Sequence, residues 1–172
     1  GSVSSDWTDA GNWTPSGAPI STSNVIIPDE VTTANDPTFP ASTTINTLNI
    51  QSGGILNGGT STVVTIAGSE NFMTVNGTFN AGTSKVIITN ALASVYSDIN
   101  FYDWEIAEGC TLAVNANINV RITGTFTSLG HAQAIGGFTF VYDGGNQNIA
   151  VPSQVNKRYF NVTFKGTGTK TM

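Results

Sequence analysis

The chain has 172 residues, of which 39% are apolar and only 10% are charged, well below the usual quarter for a soluble globular protein. Six basic and eleven acidic side chains give a net charge of −5, which excludes the basic stripe that a nucleic-acid-binding protein needs. One cysteine and one histidine exclude an internal disulfide bond and a histidine-based metal cluster, and no apolar run is long enough to span a bilayer.

Short runs of β-branched and aromatic residues, separated by Gly, Asn, Asp and Ser, predict strands along the whole chain. In chain order the predicted strands are Asn24–Ile27, Thr47–Gln51, Val63–Ile66, Met73–Phe79, Lys85–Thr89, Phe101–Ile106, Ile118–Phe126, Phe138–Tyr142 and Phe160–Phe164. The best helical candidate, Asn90–Tyr96, has room for two turns at most. The sequence therefore predicts an all-β protein.

The sequence also repeats internally. Ile45–Ile50, Phe101–Ile106 and Tyr159–Phe164 align without gaps, and their first residues lie 56 and then 58 positions apart. A unit of this length exceeds one solenoid coil of about 20 to 30 residues, so we expect each unit to make two or more coils. One coil cannot bury its apolar face alone, whereas stacked coils share a continuous core.

These features favour a right-handed parallel β-solenoid, or β-helix. Low charge supports it, because like charges stacked from coil to coil would repel. The competing prediction is an antiparallel β-sandwich or jelly roll, which also contains many short strands.

The repeat gives a predicted division of the chain. Residues 1–2, Gly-Ser, look like a cloning scar. Residues 3–43 would form an N-terminal cap and the first strands. Residues 44–172 would form the solenoid, with one copy of the repeat at 44–100, a second at 101–158 and a truncated copy at 159–172. We expect the chain to be a piece of a longer protein with flanking domains, because the last residues show no terminating element.

Two phrases carry a family resemblance. Phe160–Met172, with its Lys-Gly-Thr-Gly-Thr-Lys-Thr sequence, resembles a phrase of large repetitive secreted surface proteins of Gram-negative bacteria, many of them type IX secretion cargo. Trp7–Trp13 is similar to the opening of solenoid regions in such proteins, and Leu48–Leu56 resembles a coil of haemagglutinin-type or pectate-lyase-like β-solenoids. The resemblance implies an extracellular or cell-surface stalk, adhesin or carbohydrate-associated module.

Two carboxylates are the candidate catalytic groups. Asp103 and Glu105 flank Trp104 on one predicted strand, so both point outward, about 6.5 to 7 Å apart. That separation suits a general acid and base acting on a glycosidic bond. With Asp98 and Glu108 nearby, a Ca²⁺ site is an alternative, and Ca²⁺ is the one cofactor that the sequence suggests. The competing interpretation of all four residues is a solvated acidic surface.

Two tryptophans are the candidate carbohydrate-binding residues. Trp7 and Trp13 could stack on sugar rings, or they could cover the open end of the solenoid core. His131 has no local nucleophile or carboxylate partner and is expected to be structural. Cys110 is expected to be a small buried apolar residue.

The leading functional hypothesis is a non-catalytic extracellular structural or adhesive module of a large bacterial surface protein, which contacts polysaccharide or another cell-surface ligand. The first alternative is a carbohydrate-binding module of a secreted glycan-degrading enzyme. The second alternative is a glycan hydrolase or lyase built on a β-helix, with Asp103 and Glu105 as its acid and base.

Overall fold

The fold is seen in a computed structural model, which describes residues 1–29, 31, 33–68, 72–90, 92–114, 117–134, 138–150, 159 and 161–172, with the backbone alone at 92, 93, 114 and 131–134. These residues form one short 3-10 helix, Ala10–Asn12, and 19 strands. The described residues contain no α-helix and therefore no helix that could cross a membrane.

Most strands belong to three parallel sheets. Sheet A has the order β1 (Asn24–Ile27), β3 (Thr47–Ile50), β6 (Met73–Val75), β9 (Leu92–Val95), β12 (Thr111–Val114) and β15 (His131–Ala134). Sheet B has the order β2 (Ser42–Ile45), β5 (Val63–Ile66), β8 (Lys85–Ile88), β11 (Asp103–Ile106) and β14 (Phe126–Ser128). Sheet C has the order β10 (Ile99–Phe101), β13 (Asn119–Ile122), β16 (Thr139–Tyr142) and β18 (Asn161–Phe164). Two further pairs are β4 (Ile55–Asn57) with β7 (Thr78–Asn80), and β17 (Gln147–Asn148) with β19 (Lys170–Thr171).

The chain returns to sheets A and B once per turn in its first five turns, so the strands inside these sheets pair with strands one turn before and one turn after them. Paired residues lie 25 positions apart for Leu48 and Met73 in sheet A, and 22 apart for Val64 and Val86 in sheet B. Every pairing between the described strands is parallel. The protein is a parallel β-solenoid of about six turns, which confirms the leading fold prediction, and the antiparallel sandwich is wrong.

The internal sequence repeat does not coincide with one coil. The three aligned segments contain β3 of sheet A, β11 of sheet B and β18 of sheet C. Because the spacing of the repeat is longer than two coils and shorter than three, each copy arrives on a different side of the stack. The three aligned segments are therefore similar because each contains a strand with alternating inward and outward side chains. They do not belong to the same sheet.

Some strand predictions were confirmed, others joined two strands across a corner, and β2, β12 and β15 in the main sheets were not predicted. Asn24–Ile27 and Val63–Ile66 have the predicted bounds. The predicted strand Met73–Phe79 is two strands, β6 and β7, because the chain turns a corner at Asn76 and Gly77. The helical candidate Asn90–Tyr96 contains strand β9 instead, whose backbone pairs with that of β12 in sheet A.

The core is one column of inward-facing side chains. In β11 the burial alternates, with Trp104 and Ile106 fully buried and Asp103 and Glu105 partly exposed. In the later coils aromatic rings continue the column. The Trp104 ring centroid lies 4.8 Å from that of Phe101 and 5.1 Å from that of Phe126. Such contacts add to the stabilisation from burial alone, and they hold consecutive coils in register.

Candidate functional site

The outer side of β11 holds both candidate catalytic carboxylates, as the alternation predicts. Glu105 forms an ion pair with Lys85 of the preceding coil, with 2.7 Å between Nζ and Oε2. Asp103 Oδ1 accepts a hydrogen bond of 2.6 Å from the backbone N–H of Thr125 in the following coil. Each carboxylate thus connects β11 to a neighbouring coil, one on each side, and both are engaged in holding the stack together.

The other two Ca²⁺ candidates lie at different corners of the solenoid. Asp98, just before β10, accepts hydrogen bonds from the backbone N–H and the side-chain amide of Asn119, at 2.8 and 3.0 Å. Glu108 lies in the exposed turn after β11. Within the described ranges, no group of three or more His, Cys, Asp or Glu residues comes together in a way that could hold a metal ion. The four acidic residues therefore do not form one cluster.

The two candidate sugar-binding tryptophans lie over the N-terminal end of the core. Trp7 is 1% exposed, and its ring centroid lies 4.8 Å from that of Trp13 and 4.7 Å from that of Phe39. The indole N–H of Trp13 donates a hydrogen bond of 2.8 Å to the carbonyl of Trp7. Trp7 has no ring face open to a ligand, so the arrangement is that of a cap, and Trp13 alone of the two retains accessible surface.

The remaining sequence candidates have structural surroundings. Cys110 is buried at a corner, its thiol lies 3.5 Å from the carbonyl oxygen of Ile88, and burial raises the pKa of the thiol above its ordinary value. A thiol with a raised pKa is a poor nucleophile, so Cys110 is a buried apolar residue, as predicted. The backbone of His131 belongs to β15, paired with Thr111. The side chain of His131 lies outside the described residues.

A polar depression of about 380 Å³ occurs where β17 and β19 follow β14 in the stack. Its lining side chains are hydroxyl and amide groups, from Thr125, Asn146, Gln147, Asn148, Thr169 and Thr171. Within the described part of the chain, β17 pairs with β19 and not with β14, so the hydrogen-bond ladder of sheet B is interrupted here. The depression lies at this interruption.

The floor of this polar depression is held by Gln147. Its amide nitrogen donates to the carbonyls of Ile122 and Gly124, at 3.1 and 2.7 Å, and its Oε1 accepts from the N–H of Gly144 at 2.8 Å. Because all its polar atoms are used internally, Gln147 is fixed in place. The exposed hydroxyls of Thr169 and Thr171 make no side-chain hydrogen bond within the described residues, so they are available to a polar ligand.

Sequence reasoning missed this depression, although a signal for it was present. Asn146 and Asn148, like Thr169 and Thr171, are spaced by two residues and so project from the same side of a strand. What the spacing alone could not show is that these two strands are consecutive in the stack.

No known protein family, curated protein or solved structure matches this chain.

Proposed function

We propose that this chain is a non-catalytic, extracellular structural module of a large bacterial surface protein. The observation that carries the proposal is the single apolar core that the described residues form through about six parallel turns, because a shared core makes the coils one stiff stack. With about 4.8 Å between strands, six turns span about 29 Å, so such a module separates whatever it joins by a fixed distance. The phrases at Trp7–Trp13 and Phe160–Met172 support the surface location.

Surface labelling of the producing cells tests the location. Antibodies against the folded chain should label intact cells, and external protease should remove the label. Labelling that needs lysed cells would contradict an extracellular module. A cytoplasmic protein examined in the same cells controls for leakage.

A reducing-sugar assay tests whether the module is non-catalytic. We expect no sugar release from plant, algal or bacterial polysaccharides, because Asp103 and Glu105 are engaged with Thr125 and Lys85. Release that disappears in Asp103→Ala but persists in Asp98→Ala would replace this proposal with the hydrolase or lyase alternative.

A second candidate function, carbohydrate binding, is favoured by the polar depression. Sugars are bound through hydroxyl groups, and the depression presents hydroxyls and amides on a floor fixed by Gln147. An affinity gel containing polysaccharide should retain the wild-type chain and should retain Thr169→Val/Thr171→Val less. The matched control is Thr44→Val, an exposed position on β2 at the other end of sheet B. If the wild type, the double variant and Thr44→Val migrate equally on every gel, the result would count against sugar binding in the polar depression.

A further inference from the structure

Two Asn-Gly pairs occur in this chain, Asn57–Gly58 and Asn76–Gly77, and the structure gives them different surroundings. An asparagine before a glycine is chemically labile, because the glycine has no side chain to keep its backbone nitrogen away from the side-chain amide carbon of the asparagine. Both pairs lie where a short strand ends, at a corner of the solenoid. The sequence alone therefore predicts the same reactivity for both.

Asn76 is exposed at the corner between β6 and β7, and its side-chain amide makes no hydrogen bond within the part of the chain that the structure describes. The backbone N–H of Gly77 donates to the carbonyl oxygen of Ile50, 3.2 Å away, and the N–H of Asn76 donates to the same oxygen at 2.8 Å. The longer of two hydrogen bonds that share one acceptor is the weaker. The side chain of Asn76 is therefore free to turn, and the nitrogen of Gly77 is only weakly bonded.

Asn57 is held in place by the following coil. It is the partly buried last residue of β4, and its Oδ1 accepts a hydrogen bond of 3.0 Å from the side-chain amide of Asn80. The backbone N–H of Gly58 donates to the carbonyl of Asn80 at 2.7 Å. A reaction between Asn57 and Gly58 has to break both hydrogen bonds, and each bond of ordinary net strength slows it by a factor of about five.

We propose that Asn76–Gly77 is a site of spontaneous deamidation in the folded protein and that Asn57–Gly58 is protected. The backbone nitrogen of Gly77 loses its proton and attacks the side-chain amide carbon of Asn76. The new C–N bond closes a cyclic succinimide, and the amide nitrogen leaves as ammonia, which takes up a proton in place of the one lost. Water then opens either C–N bond of the ring and gives aspartate or isoaspartate at position 76. This modification is independent of both functional proposals.

The corner at Gly77 has little room for the product. A Cβ placed on Gly77 would lie 2.3 Å from the carbonyl oxygens of Gln51 and Gly54 in the preceding coil. Isoaspartate adds one carbon to the main chain just before Gly77, so it moves the N–H of Thr78 out of line for its hydrogen bond of 2.8 Å to Gly54. It also adds a negative charge. The modification therefore loosens the contact between β7 and β4.

Peptide mapping of the whole folded chain, after incubation in mildly alkaline buffer, tests the proposal. Chymotrypsin cuts after Phe72 and Phe79, so Asn76 and Asn57 fall in different peptides. The peptide with Asn76 should gain the mass difference between an amide and a carboxyl group more than about fivefold faster than the peptide with Asn57. In urea the two rates should become similar. An equal or faster rate at Asn57 in the folded chain, or a difference that persists unchanged in urea, would overturn the proposal.

Two variants test the cause and the consequence. Asn80→Ala removes the side-chain amide that holds Asn57, so Asn57 should react faster in this variant, and an unchanged rate would refute the protection. Asn76→Gln forms the cyclic intermediate far more slowly, and its stability before incubation should match the wild type. After incubation the wild type should unfold at a lower urea concentration than before, whereas Asn76→Gln should not change. Equal stability of the incubated and fresh wild type would refute the loosened corner.

Discussion

Gly82 shows how single residues make the corners of this solenoid. Its φ is +58°, and a Cβ placed on it would lie 2.2 Å from the carbonyl oxygen of Gly59 in the preceding coil. A side chain here would meet both backbone strain and a steric clash with the neighbouring coil. Gly82 therefore lets the corner of one coil lie close against Gly59 in the preceding coil.

We expect Gly82→Ala to lower the free energy of unfolding by about 2 kcal/mol. Gly145→Ala is the matched control, because a Cβ there meets nothing within 4 Å and should change stability by less than about 0.5 kcal/mol. Urea unfolding followed by tryptophan fluorescence measures both. Equal stability of the two variants would mean that the corners have room to relax.

Tyr142 and Tyr159 close the later part of the core with a buried pair of hydroxyls, 2.6 Å apart. Burial raises the pKa of both phenols above the ordinary value of about 10. Above that pH the unfolded chain releases protons that the folded chain still holds. The contribution to stability is therefore complete below about pH 10 and is lost as the pH rises further.

Urea unfolding measured at intervals from pH 7 to about pH 11 should accordingly show stability falling at the alkaline end. The double variant Tyr142→Phe/Tyr159→Phe should be less stable at neutral pH, since it loses the hydroxyl pair, but its stability should fall less steeply above pH 10. A fall of the same steepness in both proteins would show that other groups cause the alkaline loss.

At the scale of elements, adjacent strands are joined by side chains as well as by the backbone ladder. Asp103 of β11 accepts a hydrogen bond from Thr125 just before β14, and Glu105 forms an ion pair with Lys85 of β8. The first contact uses a charged acceptor for a backbone N–H. The second joins two partly exposed side chains, 36% exposed for Lys85 and 18% for Glu105, so solvent weakens it.

Asp103→Ala should therefore destabilise the protein by about 1.5 to 3 kcal/mol, the range for a hydrogen bond to a charged group. Glu105→Ala should cost less, about 0 to 1 kcal/mol, and its effect should shrink in high salt. Denaturant unfolding with and without added salt compares the two variants. A larger effect for Glu105→Ala would reverse this ranking.

Strand length alone did not decide which strands were predictable, because β2, β12 and β15 have four residues each, as β1 and β5 do, and none of the three was predicted. β1 and β5 alternate over four residues and were predicted with the correct bounds. β17 and β19 have two residues each, too few to show any alternation, and they were missed together with the depression that they line. A strand of two residues is defined by its neighbour in the stack, and sequence patterns do not reveal that neighbour.

At the scale of the whole molecule, the hydrogen-bonded strand pairs of the described residues join coils that are adjacent in the stack. Stability in such a stack is the sum of the coils and their interfaces, so coils with two neighbours should be protected most. Hydrogen exchange should be slowest in β5, β8 and β11 of sheet B, and faster in β18 of sheet C. Exchange that is uniform along the chain would show that the stack opens as one unit.

The amino-acid sequence by itself determined the fold class and the inward side chains, because alternation and corner residues are local properties of a strand. Only the tertiary structure decided that Trp7 lies in a cap, that Asp103 and Glu105 bind neighbouring coils, and that Asn146 and Thr169 line one depression. These outcomes depend on contacts between neighbouring coils, whose residues are one whole turn of the solenoid apart in the sequence. A local sequence pattern carries no information about residues that far apart.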